Sequence, residues 1–123
     1  MFKILILEDE EILGKLYTKN LEKNGHIVKW CKTVKEAKEI IKTFKADISL
    51  IDHGIKNDAS SGIDFIPELR KKIPNQKIFI LSNYSDSVFK KKALENGADD
   101  YLIKLNTSPK EINSILLKFI SKT

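Results

Sequence analysis

Residues 3–10 read KILILEDE, a run of four apolar residues followed directly by three acidic ones. A short, continuous apolar run is typical of a strand that is buried on both faces of a sheet. Similar runs occupy residues 48–51, 78–81 and 101–103, and residues 26–31 form a more polar run that suits an edge strand. The sequence therefore predicts five strands.

Five segments with helical spacing of apolar residues follow these strands in turn. The first is expected to stop at residues 24–25, the second begins with a capping box at residues 33–36, and the fifth opens with SPKE at residues 108–111. The third is predicted with Pro67 in its first turn, where proline is tolerated. The fourth is predicted to start near Ser85. Alternation of strand and helix implies an α/β fold with a parallel sheet and helices on both faces.

The composition is that of a globular domain: 41% of the 123 residues are hydrophobic and the formal net charge is +5. The single cysteine, Cys31, excludes an internal disulfide and suits a reducing cytoplasm. No run approaches the roughly 18 consecutive apolar residues of a membrane span. Lysines are spread over every predicted helix, with tight clusters at residues 70–72 and 90–92, so a solvated basic surface is favoured over a nucleic-acid site.

Polar side chains collect where the predicted strands end, which is where ligands bind in open parallel sheets. These residues are Glu8, Asp9, Asp52, Ser82 and Lys104. For a single carboxylate there, helix capping or a loop position is the favoured explanation. Three carboxylates together repel one another and need a cation to stay ionised, and Mg²⁺ prefers such oxygen ligands. A carboxylate beside the ion can then act as a nucleophile toward phosphorus.

Four motifs, each at a strand end and in the same order, resemble the bacterial response-regulator receiver domain. They are KILILEDE at residues 3–10, ADISLID at 46–52, ILS at 80–82 and NGADDYLIK at 96–104. The resemblance covers essentially the whole chain. It implies a flavodoxin-like (βα)5 doubly wound sandwich with five parallel strands in the order 2-1-3-4-5. We expect one receiver domain over residues 1–123, with no output domain in the chain.

The resemblance implies a site with two sides. On the metal side, Asp52 is the phosphoacceptor and binds Mg²⁺ together with Asp9. Glu8 contributes directly or through a metal-bound water, and the backbone carbonyl of Gly54 is a further ligand.

On the phosphoryl side, Ser82 and Lys104 contact the phosphoryl group, and Asn83 lies beside it. Ser82 and Tyr101 form the switch pair, in which the aromatic ring turns inward as Ser82 moves toward the phosphoryl group. The alternative for Tyr101, an ordinary strand aromatic, is equally open.

The sequence departs from the family pattern at several positions around this site. Leu105 replaces the usual proline after the lysine, so we expect no cis bond there. Asn83 replaces a small residue and either narrows access to the acceptor or bonds the phosphoryl group. The loop at residues 53–62 lacks a proline and reads longer than the common form, and His53 is interpreted as an exposed loop residue. Trp30 is assigned to packing.

Two functions from different classes stay open. The first is a switch in two-component signalling, in which a histidine kinase or phosphotransfer protein supplies the phosphoryl group. The receiver would catalyse its own phosphorylation and slow dephosphorylation without being a classical turnover enzyme. Phosphorylation would repack the face made by the fourth helix, fifth strand and fifth helix. Residues 90–92 lie near that face and predict an acidic surface on a downstream protein, and a phosphorylation-dependent homodimer is a further expectation.

The second function is a protein-binding module of receiver shape that is not phosphorylated, which Asn83 and Leu105 favour. A metal-dependent phosphohydrolase is rejected, because it needs an acidic residue two positions after the nucleophile and Gly54 stands there. Direct binding to nucleic acid or to a membrane is not expected, and a cytoplasmic location is.

Overall fold

A five-stranded parallel sheet forms the centre of the computed structural model, which describes residues 1–54, 62–83 and 87–121. The strands are β1 (Lys3–Leu7), β2 (Ile27–Cys31), β3 (Ile48–Asp52), β4 (Lys77–Ser82) and β5 (Asp100–Ile103). The helices are α1 (Glu11–Lys23), α2 (Val34–Ile40), α3 (Gly62–Lys72), α4 (Ser87–Glu95) and α5 (Ile112–Ser121). The strand order β2-β1-β3-β4-β5 confirms the predicted α/β fold. Within the described residues, no helix is long and apolar enough to cross a membrane.

The register of the sheet aligns the carboxyl ends of the strands. Their last paired positions are Leu7–Cys31, Leu7–Ile51, Asp52–Leu81 and Ser82–Ile103. Whatever follows β1 and β5 therefore meets the last residues of β3 and β4 at one edge of the sheet. This alignment is what brings distant parts of the sequence to a common site.

Both faces of the sheet are covered, which explains the continuous apolar runs of the inner strands. The face toward α2, α3 and α4 includes Leu5, Leu7, Ile51, Ile63, Ile66, Ile78, Ile80 and Tyr101. The face toward α1 and α5 includes Ile4, Ile6, Tyr17, Leu21, Ile48, Leu50, Phe79, Leu81, Ile112 and Leu116. The edge strand β2 buries only its last residue, as its more polar sequence predicts.

The ends of α1 and α2 follow the local signals in the sequence. Asn24 caps the end of α1, and Gly25 continues the chain at a φ of +88°, a conformation that glycine adopts without strain. The hydroxyl of Thr33 accepts a hydrogen bond of 3.1 Å from the N–H of Glu36 at the start of α2. Both predictions are confirmed, because each depends only on residues close together in the chain.

The start of α3 differs from the prediction. The helix begins at Gly62, where an added Cβ would lie 2.0 Å from the backbone oxygen of Asp52. Pro67 therefore lies in the helix interior and not in its first turn, and it cannot donate the usual hydrogen bond to the carbonyl of Ile63. The side-chain amide of Asn96 donates to that carbonyl instead, at 3.4 Å. A side chain from the residue that follows α4 thus makes an interior proline tolerable.

The start of α5 is also later than its sequence signal. The helix begins at Ile112, and Ser108 leads a turn in which the N–H of Glu111 donates to its carbonyl at 3.0 Å. The predicted start of α4 near Ser85 lies outside the described residues. Its predicted end is confirmed, with Gly97 following the helix at a φ of +114°.

One residue of the basic cluster at 70–72 has a structural role that the sequence analysis did not anticipate. The Arg70 guanidinium donates to the carbonyls of Gln76 at 2.6 Å and Gly97 at 2.7 Å. It also pairs with Asp99 at 2.9 Å, and the same carboxylate oxygen accepts from the N–H of Ile78 at 2.7 Å. Arg70 thus ties α3 to the turns that precede β4 and β5.

Candidate functional site

Three carboxylates meet at the carboxyl edge of the sheet. Glu8 and Asp9 follow β1 and Asp52 ends β3, and one oxygen from each lies within 4.8 Å of the others. Glu8 is 1% exposed and Asp52 is 5% exposed, whereas Asp9 is half-buried. The structure therefore brings together the three acidic residues that the sequence predicted as metal ligands.

Lys104 reaches the same point from the end of β5. Its ammonium lies 2.9 Å from Oε1 of Glu8 and 3.2 Å from Oδ1 of Asp52. Burial lowers the pKa of Lys104, but its bonds with these carboxylates outweigh that effect and hold the pKa above its ordinary value. The ammonium is therefore charged at neutral pH and partly balances the acidic cluster.

Among the described residues, one ammonium faces three carboxylates and does not balance their charge. Burial, followed by the negative charge of Asp52, raises the pKa of Glu8 to about 7 even though Lys104 opposes the shift. The pKa of Asp52 is also raised, chiefly by burial. Such shifts are typical of carboxylates that are buried close to other negative charges. Three carboxylate oxygens with an excess of negative charge around them fit a divalent metal ion.

The loop that carries Glu8 and Asp9 is tied to the end of β2. The N–H of Glu8 donates to the carbonyl of Cys31 at 3.0 Å, and the indole N–H of Trp30 donates to the carbonyl of Glu8 at 3.0 Å. The Oε2 atom of Glu8 accepts from the N–H of Glu10 at 3.1 Å. The sequence predicts only a strand or packing role for Trp30. Gly14, near the start of α1, is the sequence signal that another group approaches that helix closely.

The predicted phosphoryl side occupies the neighbouring strand ends. Ser82 is buried at the end of β4 and is paired with the residue before Lys104. Asn83 is exposed next to it. Tyr101 is 6% exposed and packs into the core on the face toward α2, α3 and α4. The backbone N–H of Gly54 donates to Oδ1 of Asp52 at 3.4 Å.

The two loops beside the site begin at Lys104 and at His53, and the sequence makes a prediction about each. No peptide bond within the described parts of the chain is cis, and Lys104 starts a single 3₁₀ turn over Lys104–Asn106, as expected with Leu105 in place of a proline. The interpretation of His53 as an exposed loop residue is wrong. Its ring is half-buried, 4.5 Å from the ring of Phe89, and burial lowers its pKa. Most of the predicted longer loop, residues 55–61, lies outside the described residues.

Comparison with known proteins identifies relatives along almost the whole chain. The family model of the response regulator receiver domain matches residues 4–116. The two-component response regulator PhoP of Pseudomonas aeruginosa is 37% identical over 106 residues, which cover 83% of this chain and 44% of that protein. The alkaline phosphatase synthesis transcriptional regulatory protein PhoP of Bacillus subtilis is 33% identical over 112 residues, covering 91% of this chain and 45% of its own length. The chain thus spans about half the length of these relatives.

Solved structures of response regulators have a similar fold. The receiver domain of the Francisella response regulator 1452 superimposes with a TM-score of 0.82 at 27% identity, covering 100% of both chains. A response regulator from Burkholderia pseudomallei has a TM-score of 0.83 at 27% identity, covering 93% of this chain and 64% of its own. That crystal structure contains a phosphorylated aspartic acid, a calcium ion and citrate.

Proposed function

This chain belongs to the family of response regulator receiver domains of two-component systems, and we propose that Asp52 is the residue that accepts its phosphoryl group. The convergence of Asp52, Asp9 and Lys104 at one edge of the sheet is the observation that carries the proposal. A carboxylate oxygen of Asp52 would attack the phosphorus of a phosphohistidine. The phosphorus–nitrogen bond would break, the imidazole would leave, and an acyl phosphate would form on Asp52.

We propose Mg²⁺ as the metal, held by carboxylate oxygens of Glu8, Asp9 and Asp52 together with the backbone carbonyl of Gly54. The excess of negative charge around Glu8 and a donor set made only of oxygen atoms support this assignment. When bound, the ion supplies positive charge that stabilises the transferring phosphoryl group. Glu8 is the most buried of the three carboxylates, and it either binds the ion itself or orients a metal-bound water.

Lys104 has two roles in this proposal. Before phosphorylation it is paired with Glu8 and Asp52, which keeps both carboxylates in place. Its Nζ is already 3.2 Å from an oxygen of Asp52, so a short movement brings it to an oxygen of the phosphoryl group. Ser82 donates to another phosphoryl oxygen from the adjacent strand end, and Asn83 contacts the group from the solvent side.

The switch in this proposal passes through Ser82 and Tyr101. Tyr101 already lies inward, and movement of Ser82 toward the new phosphoryl group would stabilise that position of the ring. The surface above these residues is formed by α4, β5 and α5. The partners are a histidine kinase or phosphotransfer protein that supplies the phosphoryl group, and a downstream protein or a second copy of this chain that binds the changed surface.

The basic residues of α4 indicate the chemistry of the downstream partner. Lys90, Lys91 and Lys92 are exposed, although Lys91 is paired with Glu95 at 3.9 Å and Lys92 with Asp64 at 3.6 Å. We therefore expect acidic groups on the protein that binds this face. Charge reversal of all three lysines is expected to weaken that complex in a binding assay, and unchanged affinity would contradict this part of the proposal.

The central test is the Mg²⁺-dependent mass increase of the protein with a small phosphodonor such as acetyl phosphate. We expect the wild type to gain one phosphoryl group and Asp52→Asn to gain none. Asp47→Asn is the matched control, because Asp47 is an exposed aspartate beside the opposite end of the same strand. Equal phosphorylation of wild type and Asp52→Asn would rule out Asp52 as the acceptor. No phosphorylation of the wild type would favour a receiver-shaped protein-binding module.

A further inference from the structure

The backbone of Glu8 is held at both of its polar groups by two consecutive residues of β2. Its N–H donates to the carbonyl of Cys31 and its carbonyl accepts from the indole of Trp30, each at 3.0 Å. In a longer parallel ladder a backbone N–H beyond Cys31 would bond this carbonyl. However, β2 ends at Cys31 and Thr33 already caps α2. The indole therefore supplies a donor where the ladder has ended.

The position of the indole is set by the helix that follows the acidic loop. An added Cβ on Gly14 would lie 2.1 Å from Cε2 of Trp30, so the ring lies directly against the backbone of α1. The ammonium of Lys32 lies 5.5 Å from the centre of the ring and 3.6 Å from the carboxylate of Glu11. The ring is thus fixed by contacts on several sides while its N–H points to the acidic loop.

We propose that Trp30 is a positioning residue for the metal site, acting through the carbonyl of Glu8. This carbonyl belongs to the peptide that joins Glu8 to Asp9, so its hydrogen bond fixes the plane from which the Asp9 side chain starts. Metal ligands bind best when such outer contacts hold them in the binding geometry. The inference rests on the metal site of the proposed function and adds to it a residue that does not touch the ion.

The first test compares the Mg²⁺ affinity of wild type with that of Trp30→Phe by isothermal titration calorimetry. Phenylalanine keeps an aromatic ring against Gly14 but removes the N–H donor. We expect affinity to fall by roughly tenfold, because removing an outer contact that holds a metal ligand typically weakens metal binding by about 10- to 100-fold. Val28→Ala is the matched control, because Val28 lies on the same strand and packs against the same core cluster. It is expected to lower the melting temperature and leave Mg²⁺ affinity unchanged.

The outcomes separate positioning from general destabilisation. Affinity of Trp30→Phe within twofold of wild type, or an equal loss of affinity in Val28→Ala, would overturn the proposal. If wild type does not bind Mg²⁺, or if Asp9→Asn binds it as tightly as wild type, the metal site of the proposed function is wrong. The proposal for Trp30 is then wrong as well. Normal Mg²⁺ binding by wild type with no effect of Trp30→Phe overturns only the inference.

A second test needs no variant and so does not depend on how a variant folds. The chain has one tryptophan, so the indole N–H gives a single proton resonance in NMR spectra. We expect this resonance to exchange slowly with solvent and to shift when Mg²⁺ is added. An indole proton that exchanges as fast as in free tryptophan, and does not respond to Mg²⁺, would contradict the proposal.

Discussion

The two ends of the central sheet differ in how their buried and half-buried charges are balanced. At the amino end, the single positive charge of Arg70 meets the single negative charge of Asp99, and the remaining guanidinium donors bond backbone carbonyls. At the carboxyl end, Glu8, Asp9 and Asp52 face one ammonium, and burial raises the pKa of Glu8 and Asp52. Counted over the described residues, the first arrangement has matched charges, whereas the second has an excess of negative charge.

This contrast indicates where stability and where function reside in the molecule. Matched charges and satisfied donors hold the turns before β4 and β5 and leave nothing for a ligand to complete. Crowded carboxylates destabilise the protein when no cation is bound, and a divalent ion that binds the folded site would relieve their repulsion. Local rules of stability are expected to fail at functional sites, and here they fail at one end of the sheet.

The largest effect on the amino end is expected from Arg70→Met. The substitution removes the guanidinium but keeps much of its apolar stem. It leaves Asp99 and three carbonyls without their charged donor, those of Pro74, Gln76 and Gly97. We expect the free energy of unfolding to fall by roughly 2–4 kcal/mol, measured by urea denaturation.

The variant Arg70→Lys serves as the control for charge alone. It keeps the positive charge but loses the fork of donors, so it should recover only part of the stability. Where Arg70→Met is still folded, it should be phosphorylated like wild type. A loss of phosphorylation in folded protein would show that the two ends are not independent.

A smaller effect is expected from pH on the metal-free carboxyl end. Because the pKa of Glu8 is raised from 4.5 to about 7 in the folded protein, the folded state holds this proton more tightly than the unfolded state. The contribution of this proton to the free energy of unfolding is fully present below pH 4.5 and is lost as the pH rises through about 7. We expect a loss of roughly 1–2 kcal/mol over this window in the presence of a chelator, allowing for coupling between Glu8 and Asp52.

Two comparisons assign that loss to Glu8. The Glu8→Gln variant should lack it, and excess Mg²⁺ should abolish it in wild type. The lowered pKa of His53 has the opposite effect on the free energy of unfolding. Because folding keeps this histidine neutral, its contribution to stability increases as the pH rises. The difference between wild type and Glu8→Gln therefore isolates the carboxylate. If the free energy of unfolding changes with pH in the same way in both proteins, the excess of negative charge around Glu8 is contradicted.

The smallest effect is expected from Asp47→Ala at the amino end. The Asp47 carboxylate accepts from the N–H of Lys3 at 2.8 Å, but the side chain is exposed and water can replace it. We expect the free energy of unfolding to fall by about 0.5 kcal/mol in the same denaturation assay. A loss as large as that of Arg70→Met would mean that burial does not distinguish the contacts at this end.

Much of the fold and the acidic part of the site could be predicted from the sequence. The five strands are short, and the inner ones are strongly apolar. Glu8, Asp9, Asp52 and Lys104 stand directly at strand ends. In a parallel sheet, position in the chain order is enough to place such residues at one edge. The phosphoryl-side roles of Ser82, Asn83 and Tyr101 stay predictions.

The errors fall where contacts between distant segments outweigh local signals. Pro67 is tolerated inside α3, where Asn96 supplies a donor to the freed carbonyl of Ile63. The ring of His53 is half-buried because Phe89 packs against it. Sequence spacing carries no information about such partners.

By itself, the sequence determined the alternation of strands and helices, the parallel sheet and the set of acidic residues at its carboxyl edge. Periodicity and helix caps act over a few residues, so these features can be read from the chain directly. Only the tertiary structure decided the electrostatic contrast between the two ends of the sheet. Arg70 and Lys104 are both basic residues in the sequence, and the burial and partners of each decide what it does. Trp30 likewise bonds the acidic loop only because the backbone of α1 at Gly14 leaves room for its ring.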